Sequence, residues 1–296
     1  MTNPVSKSAV TLMPQVSVFS RRVFRQWGEL EKTLCALDSS VSRRQIHDLR
    51  VLTRRLGASL EVLRTLSPKK KVLKKVKVVT ALTRLLGPVR STDVAHSDLK
   101  SRLFQMDPQK NSLSAILPWF KRKRVKLRKK WVKKMKGKGI AGRIEGKGEF
   151  GFLSRIPAAD LMTSLKHVAQ KQRLRLLKSW KIFEKSGKIK EMHALRIDLK
   201  KWRYLAEIEA EILREPSEDF FAAVKEVQEH LGHIHDAEAL SEFLESPSLR
   251  ALAKKKHLRK ELKKMKGLLK DQMRHGLVSF HREGEKVLLP LLQERS

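Results

Sequence analysis

The chain has 296 residues, of which 66 are Lys or Arg and 31 are Asp or Glu, a formal net charge of +35. Hydrophobic residues make up 41%, enough for a core, which excludes a disordered polycation. Self-repulsion of this size calls for a polyanionic partner: nucleic acid, inorganic polyphosphate, an anionic membrane or an acidic protein.

The N-terminal stretch MTNPVSKSAVTLMPQ lacks the continuous apolar core of a signal peptide, and no window approaches the ~18 apolar residues that span a bilayer. A soluble protein in a reducing, cytoplasmic compartment is expected. The single cysteine, Cys35, cannot build a disulfide framework or a thiolate metal site, and its apolar helical surroundings predict a buried, inert thiol. Periodicity is helical nearly throughout, with no alternating strand pattern, so the fold class is all-α. Helices are predicted at 14–38, 42–66, 69–86, 91–104, 112–136, 158–186, 188–214, 216–231, 235–244 and 248–283. Turn chemistry at Ser67-Pro68, Gly87-Pro88, Asp107-Pro108, Gly187, Pro216 and Ser246-Pro247 separates them. Ser91, Asp93 and Asp236 are candidate N-caps after two Leu-Gly turns. Residues 137–157 hold six glycines and one proline and read as a linker.

On either side of that linker a basic signature occurs twice. His47-Asp48-Leu49-Arg50-Val51-Leu52-Thr53-Arg54-Arg55 and His193-Ala194-Leu195-Arg196-Ile197-Asp198-Leu199-Lys200-Lys201 both read His-x-x-Arg-x-x-x-basic-basic, 146 residues apart. Leu86-Gly87-Pro88-Val89-Arg90 answers to Leu231-Gly232-His233-Ile234-His235 at an offset of 145. The chain is therefore an internal duplication. It predicts two four-helix bundles, 12–136 and 158–285, related by a pseudo-twofold axis within one domain spanning 12–285.

In the second copy Met192, Leu195, Leu199, Trp202 and Ala206 form an apolar stripe, and His193, Arg196, Lys200 and Arg203 form a cationic stripe one residue later, about 100° round the helix. The first copy repeats this with Ile46, Leu49, Thr53 and Leu56 beside Arg43, His47, Arg50 and Arg54. Like charges stacked at helical spacing cost a few tenths of a kcal/mol per pair, so they need an external anion or acids on neighbouring helices. Arg forks bind phosphate oxygens bidentately and Lys acts as a point charge, which suits a linear row of phosphates. Residues 121–138 add 12 bases and no acid, and residues 254–274 repeat the character; part of each is a solvated basic face.

His47 and His193 hold equivalent positions. Each is read as a phosphate hydrogen-bonding group or as a structural histidine donating to a carboxylate across the bundle. His230, His233 and His235 cluster at a turn, but there is no HExxH, no Glu-x-x-His and no cysteine partner, so no metal ligand is assigned. Asp48, Asp93, Asp198 and Asp236 could serve a metal or act as bases, and more simply cap helices or pair with arginines. No phosphate-cradling glycine loop and no nucleophile elbow is present.

The paired His-x-x-Arg-x-x-x-basic-basic motifs resemble the CHAD family, the conserved histidine α-helical domain. So do Arg203-Tyr204-Leu205-Ala206-Glu207, Leu86-Gly87-x-x-Arg90-x-x-Asp93-Val94 and Leu231-Gly232-x-x-His235-Asp236. The resemblance covers roughly 12–285. It implies two four-helix bundles around a basic groove, binding of inorganic polyphosphate and recruitment to polyphosphate granules. Ser91 stands where the family usually has Asp, and no triphosphate-tunnel β-barrel of the kind often fused to the family is present in the sequence. The expected function is non-enzymatic polyphosphate binding without a cofactor, with granule-associated proteins as further partners. The expected contacts are His47, Arg50, Arg54 and Arg55 with His193, Arg196, Lys200 and Lys201, and Arg90, His235, Arg21, Arg22, Arg25, Arg203, Arg124 and Arg128 widening the groove. Two alternatives stay open: a nucleic-acid-binding helical protein, against which 6% aromatics count, and a phosphate-handling or metal-dependent enzyme using the repeated histidines.

Overall fold

Hydrophobic periodicity is realised as helix in nearly all of the described residues. In the computed structural model the described residues are 6–38, 40–67, 69–105, 112–137, 150, 152–153, 155–214 and 217–293; they form nine α-helices and a short 3-10 turn, with no strand among them. The helices are α1 (Ser6–Cys35), α2 (Arg43–Leu66), α3 (Lys70–Gln105), α4 (Leu117–Gly137), α5 (Ala158–Ser186), α6 (Ile189–Leu213), α7 (Glu218–Glu245), α8 (Pro247–Lys255) and α9 (Arg259–Gln293), with the 3-10 turn at Ser112–Ile116 before α4. No described helix is long and apolar enough to cross a membrane.

The start of α2 is fixed by its own sequence. The Gln45 N–H donates to Ser42 Oγ at 3.1 Å and the Ser42 N–H donates to Gln45 Oε1 at 2.7 Å, a reciprocal capping box one residue before Arg43. Gly187, at φ 58°, closes α5 where a break is predicted. Pro247 opens α8 after Ser246, again at a predicted break.

Two predicted breaks are absent. Helix α3 runs unbroken through Gly87-Pro88, and α7 through Leu231-Gly232. Ser91, Asp93 and Asp236 therefore lie inside helices and cap nothing. Buried Leu86, Val89, Leu231 and Ile234 carry the apolar stripe straight across both sites, and that packing outweighs the ~1 kcal/mol cost of a helical glycine. Pro88 has no N–H for the Arg84 carbonyl, and one residue earlier Arg50 Nη1 donates to the Thr83 carbonyl at 2.8 Å. The predicted helix 248–283 is divided into α8 and α9, with His257 between them in the left-handed region at φ 55°. Cys35 is exposed, correcting the buried thiol: Leu34 takes the core-facing position in the last turn of α1, and Cys35 lies 100° further round. The predicted breaks at Pro68, Asp107-Pro108 and Pro216 lie outside the described residues.

Among the described residues three apolar clusters hold the helices together. The first joins Trp27, Leu30, Leu56, Leu60 and Leu82 to Leu161, Leu165, Leu205 and Ile208. A second contains Trp180, Phe183, Trp202, Phe220 and Phe280. The third joins Leu99 and Phe120 to Leu240, Leu249 and Met265. The first and third draw on both sides of 137–157, so the two halves are packed into one another. Most of that linker lies outside the described residues, but Phe150 and Leu153 are buried in the first cluster, with Phe150 edge-on to Trp27 at 5.4 Å between ring centres.

Candidate anion-binding site between the repeated helices

Helices α2 and α6 pack against each other, and this brings the two copies of the signature together. Their apolar stripes are buried as the spacing demands: Ile46, Leu49, Thr53 and Leu56 on α2, and Met192, Leu195, Leu199, Trp202 and Ala206 on α6. The cationic stripes, 100° away, fall at the rim of that contact, so Arg50, Arg54, Arg196 and Lys200 are half-buried and close enough to repel one another. Burial, with Arg54, Arg196 and Arg90 nearby, pushes Arg50 down to about 10. Burial, then Arg196 and Arg54, pushes Lys200 down to about 7. Arg196 and Arg90 are also lowered, chiefly by burial.

Several neighbouring bases, by contrast, are neutralised by acids. Glu207 and Glu211 of α6 hold four arginines: Arg22 and Arg25 pair with Glu211, Arg55 Nε donates to Glu207 Oε2 at 2.8 Å, and Arg203 lies 3.8 Å from Glu207. Asp93, fully buried, accepts from Arg124 Nε at 2.7 Å and from Arg128 Nη2 at 2.9 and 3.1 Å. Lys201 pairs with Asp198 at 3.5 Å. The sequence assigns Arg22, Arg25, Arg55, Arg203, Arg124 and Arg128 to the groove, and here each is engaged by an acid; Arg21 is exposed on α1. Among the described residues no carboxylate forms an ion pair with Arg50, Arg54, Arg90, Arg196 or Lys200. Asp236 is the acid that feels this row, and burial raises its carboxyl while Arg196, Lys200 and Arg90 pull it down.

Arg50, Arg54 and Lys200 form one wall of a cavity of about 800 Å³ between α2, α3, α5 and α6. Arg84 of α3 and Lys171 and Arg175 of α5 face it as well, with the exposed Thr80, while the Thr53 and Thr83 hydroxyls donate to the Arg50 and Val79 carbonyls of their own helices. Glu61, the one acid among the described lining residues, is paired with Arg64. The α5 cations lie outside the repeated signature, yet His167, Lys171 and Arg175 follow one another at four-residue steps, the helical spacing that places them on one face of α5 and the signal by which they are legible in the sequence.

The equivalent histidines have different surroundings. His47 is exposed, has no carboxylate partner among the described residues, and is lowered by burial of its ring and by Arg90. Nε2 of His193 contacts Glu238 Oε2 across the bundle, which is the structural role weighed for it from sequence. His235 meets His193 edge to face at 4.7 Å between ring centres, and its Nδ1 lies 4.0 Å from the same Glu238 oxygen. Burial, then Arg196, His193, Lys200 and Arg50, pushes His235 down to about 3, so its imidazole is neutral at any physiological pH. His193, His235 and Glu238 each present a ligand atom within 4.8 Å of the others, and form a possible metal-binding group. The sequence search missed it because the pair on α7 reads His-x-x-Glu, the reverse of the motif sought, and the third member is on another helix.

A CHAD domain profile matches residues 21–245. The crystal structure of the CHAD domain from the plant Ricinus communis superposes with a TM-score of 0.61 at 18% identity, covering 88% of this chain and 91% of that one. No curated protein sequence matches the chain. With a profile that spans both copies of the signature and a fold shared along almost the whole length, the chain belongs to the CHAD domain family, which is associated in general with polyphosphate binding.

Proposed function

We propose that this protein binds inorganic polyphosphate, without chemistry on it, in the groove where α2 and α6 meet, and that this binding holds it at polyphosphate granules in the cytoplasm. The observation that carries the reading is the set of half-buried cations with no acid paired to them among the described residues: Arg50, Arg54, Arg90, Arg196 and Lys200. Burying a cation is costly unless it is paired, and the chain compensates its other buried arginines with Asp93, Glu207 and Glu211. A row left uncompensated fits a polyanion supplied from outside. Lys201, His47 and, along the cavity wall, Arg84, Lys171 and Arg175 extend the surface to which successive phosphates would bind. Of the two histidines of the signature, His47 is the one without a carboxylate partner among the described residues.

The test is a titration with long-chain polyphosphate at physiological salt, with duplex DNA at matched phosphate concentration as competitor. Wild type binds and DNA does not displace the chain. The double variant Arg50→Glu with Arg196→Glu loses binding while circular dichroism shows unchanged helicity. Undiminished affinity in that variant overturns the site, and equal displacement by DNA overturns the choice of polymer.

A further inference from the structure

Beside the cation row, the second copy of the signature contains a feature that the first copy lacks. His235 and Glu238 stand three residues apart on one face of α7, and His193 reaches them from α6. Glu238 Oε2 lies between the two imidazoles, in contact with His193 Nε2 and 4.0 Å from His235 Nδ1. That Nδ1 is closed off from solvent and has no hydrogen-bond partner. A buried ring nitrogen without a partner is costly.

We propose that His193, His235 and Glu238 bind a divalent transition-metal ion of the zinc type, with the fourth position left to water or to an oxygen of a bound phosphate. Two imidazole nitrogens and one carboxylate oxygen form a borderline donor set that suits zinc, copper or nickel and leaves magnesium and calcium, which take oxygen ligands, poorly served. Three protein ligands with one open position is the arrangement in which zinc takes an exogenous oxygen. Bonds of about 2 Å to a tetrahedral ion place ligand atoms about 3.3 Å apart, so closing the present triangle takes movements of about an ångström. The side chains of His193, His235 and Glu238 are 29%, 32% and 18% exposed, which leaves them room for that adjustment and an entry path for the ion.

The surroundings decide how the site is loaded. Arg196, Lys200 and Arg50 all act on His235 and disfavour a dication there. An anion held by those same three residues offsets the repulsion, so metal and phosphate bind with positive coupling, and by reciprocity each raises the affinity for the other. The ligand set stands by itself; only the identity of the fourth ligand rests on the anion-binding reading above.

The experiment uses the full-length protein, stripped with chelator and kept free of polyphosphate, which would itself bind metal. Zinc is titrated in competition with a chromogenic chelator, and Co²⁺ is used as a spectroscopic stand-in. One equivalent of zinc binds, and Co²⁺ gives the intense visible absorption of a four-coordinate site. His235→Ala and Glu238→Gln each weaken zinc binding by more than about tenfold and abolish the Co²⁺ bands, with thermal unfolding showing both variants folded. His275→Ala, at an exposed histidine on α9, changes nothing. Failure to bind one equivalent, or binding that survives both ligand substitutions, overturns the site. Inorganic phosphate added to the Co²⁺ form shifts the bands; an unmoved spectrum overturns the phosphate oxygen as fourth ligand. Neither result depends on whether the Arg50 and Arg196 variant binds polyphosphate.

Discussion

Lys200 is the side chain on which pH acts most directly. Its ammonium is pushed down to about 7 by burial and by Arg196 and Arg54, from an ordinary value of 10.5. In the unfolded chain the amine keeps its proton up to the ordinary value, so between pH 7 and 10.5 the unfolded state holds more protons than the folded one. Stability therefore rises with pH across that window. Anion binding goes the other way. A phosphate beside Lys200 restores the charge, so binding draws in a proton when it starts from the neutral amine, and affinity falls as the pH rises above about 7. Calorimetry at pH 8 in two buffers of different ionisation enthalpy measures the proton taken up. Lys200→Arg, always charged, abolishes the uptake; uptake unchanged in that variant would assign the proton elsewhere. The residues of the row were legible because a stripe one position off the apolar face is set by helix geometry alone. Which cations remain free was not legible: Arg22 meets Glu211 across 189 residues and Arg55 meets Glu207 across 152, pairings that exist only after folding.

At the scale of elements, helix identity followed from periodicity and helix ends followed less well. Breaks backed by a left-handed glycine or an N-terminal proline, at Gly187 and Pro247, occur as predicted. The two Leu-Gly sites carry the same local chemistry and do not break, because the buried residues on both sides keep the 3.6-residue stripe in phase. Continuity of α3 has a consequence at Asp93. Its fully buried carboxylate docks α4 onto α3 through Arg124 and Arg128, whose side chains are only 20% and 15% exposed. Arg128 Nη1 also donates to the Val41 carbonyl at 3.0 Å, just before α2 begins, so one acid ties together three segments of the first copy. Asp93→Ala leaves two guanidinium groups unpaired and is expected to cost about 3–5 kcal/mol in denaturant unfolding. Adding Arg124→Met and Arg128→Leu to it, which removes the stranded charges, recovers a large part of that loss. If the single substitution costs less than about 1 kcal/mol, the triad is a surface pair in effect and does not dock α4.

Across the whole molecule a net charge of +35 sets a field that any polyanion feels, and the question is how selectivity arises within it. The lysines of α4 at 121, 126, 129, 130, 133 and 134 are exposed and contribute to the field without forming a site. On the proposed reading, selectivity comes from the concave region where both copies contribute, a cavity of about 800 Å³ whose walls hold Arg50, Arg54, Lys200, Lys171 and Arg175. A space of that size admits a chain of phosphates and excludes a duplex, which can touch only the outer field. The two polymers should therefore respond to salt differently. Both lose affinity as counterion release weakens, by about 0.7–0.9 in log K per neutralised phosphate for each unit of log salt. Contacts inside the partly desolvated groove are screened less than exposed ones. As salt rises from 50 to 500 mM, duplex affinity falls away first and polyphosphate retains measurable binding. Arg50→Glu with Arg196→Glu removes that retained part and leaves the duplex titration nearly as it was. Parallel salt dependences for the two polymers, unaffected by the double variant, would mean that the field alone does the binding and that the convergence of α2 and α6 serves the fold.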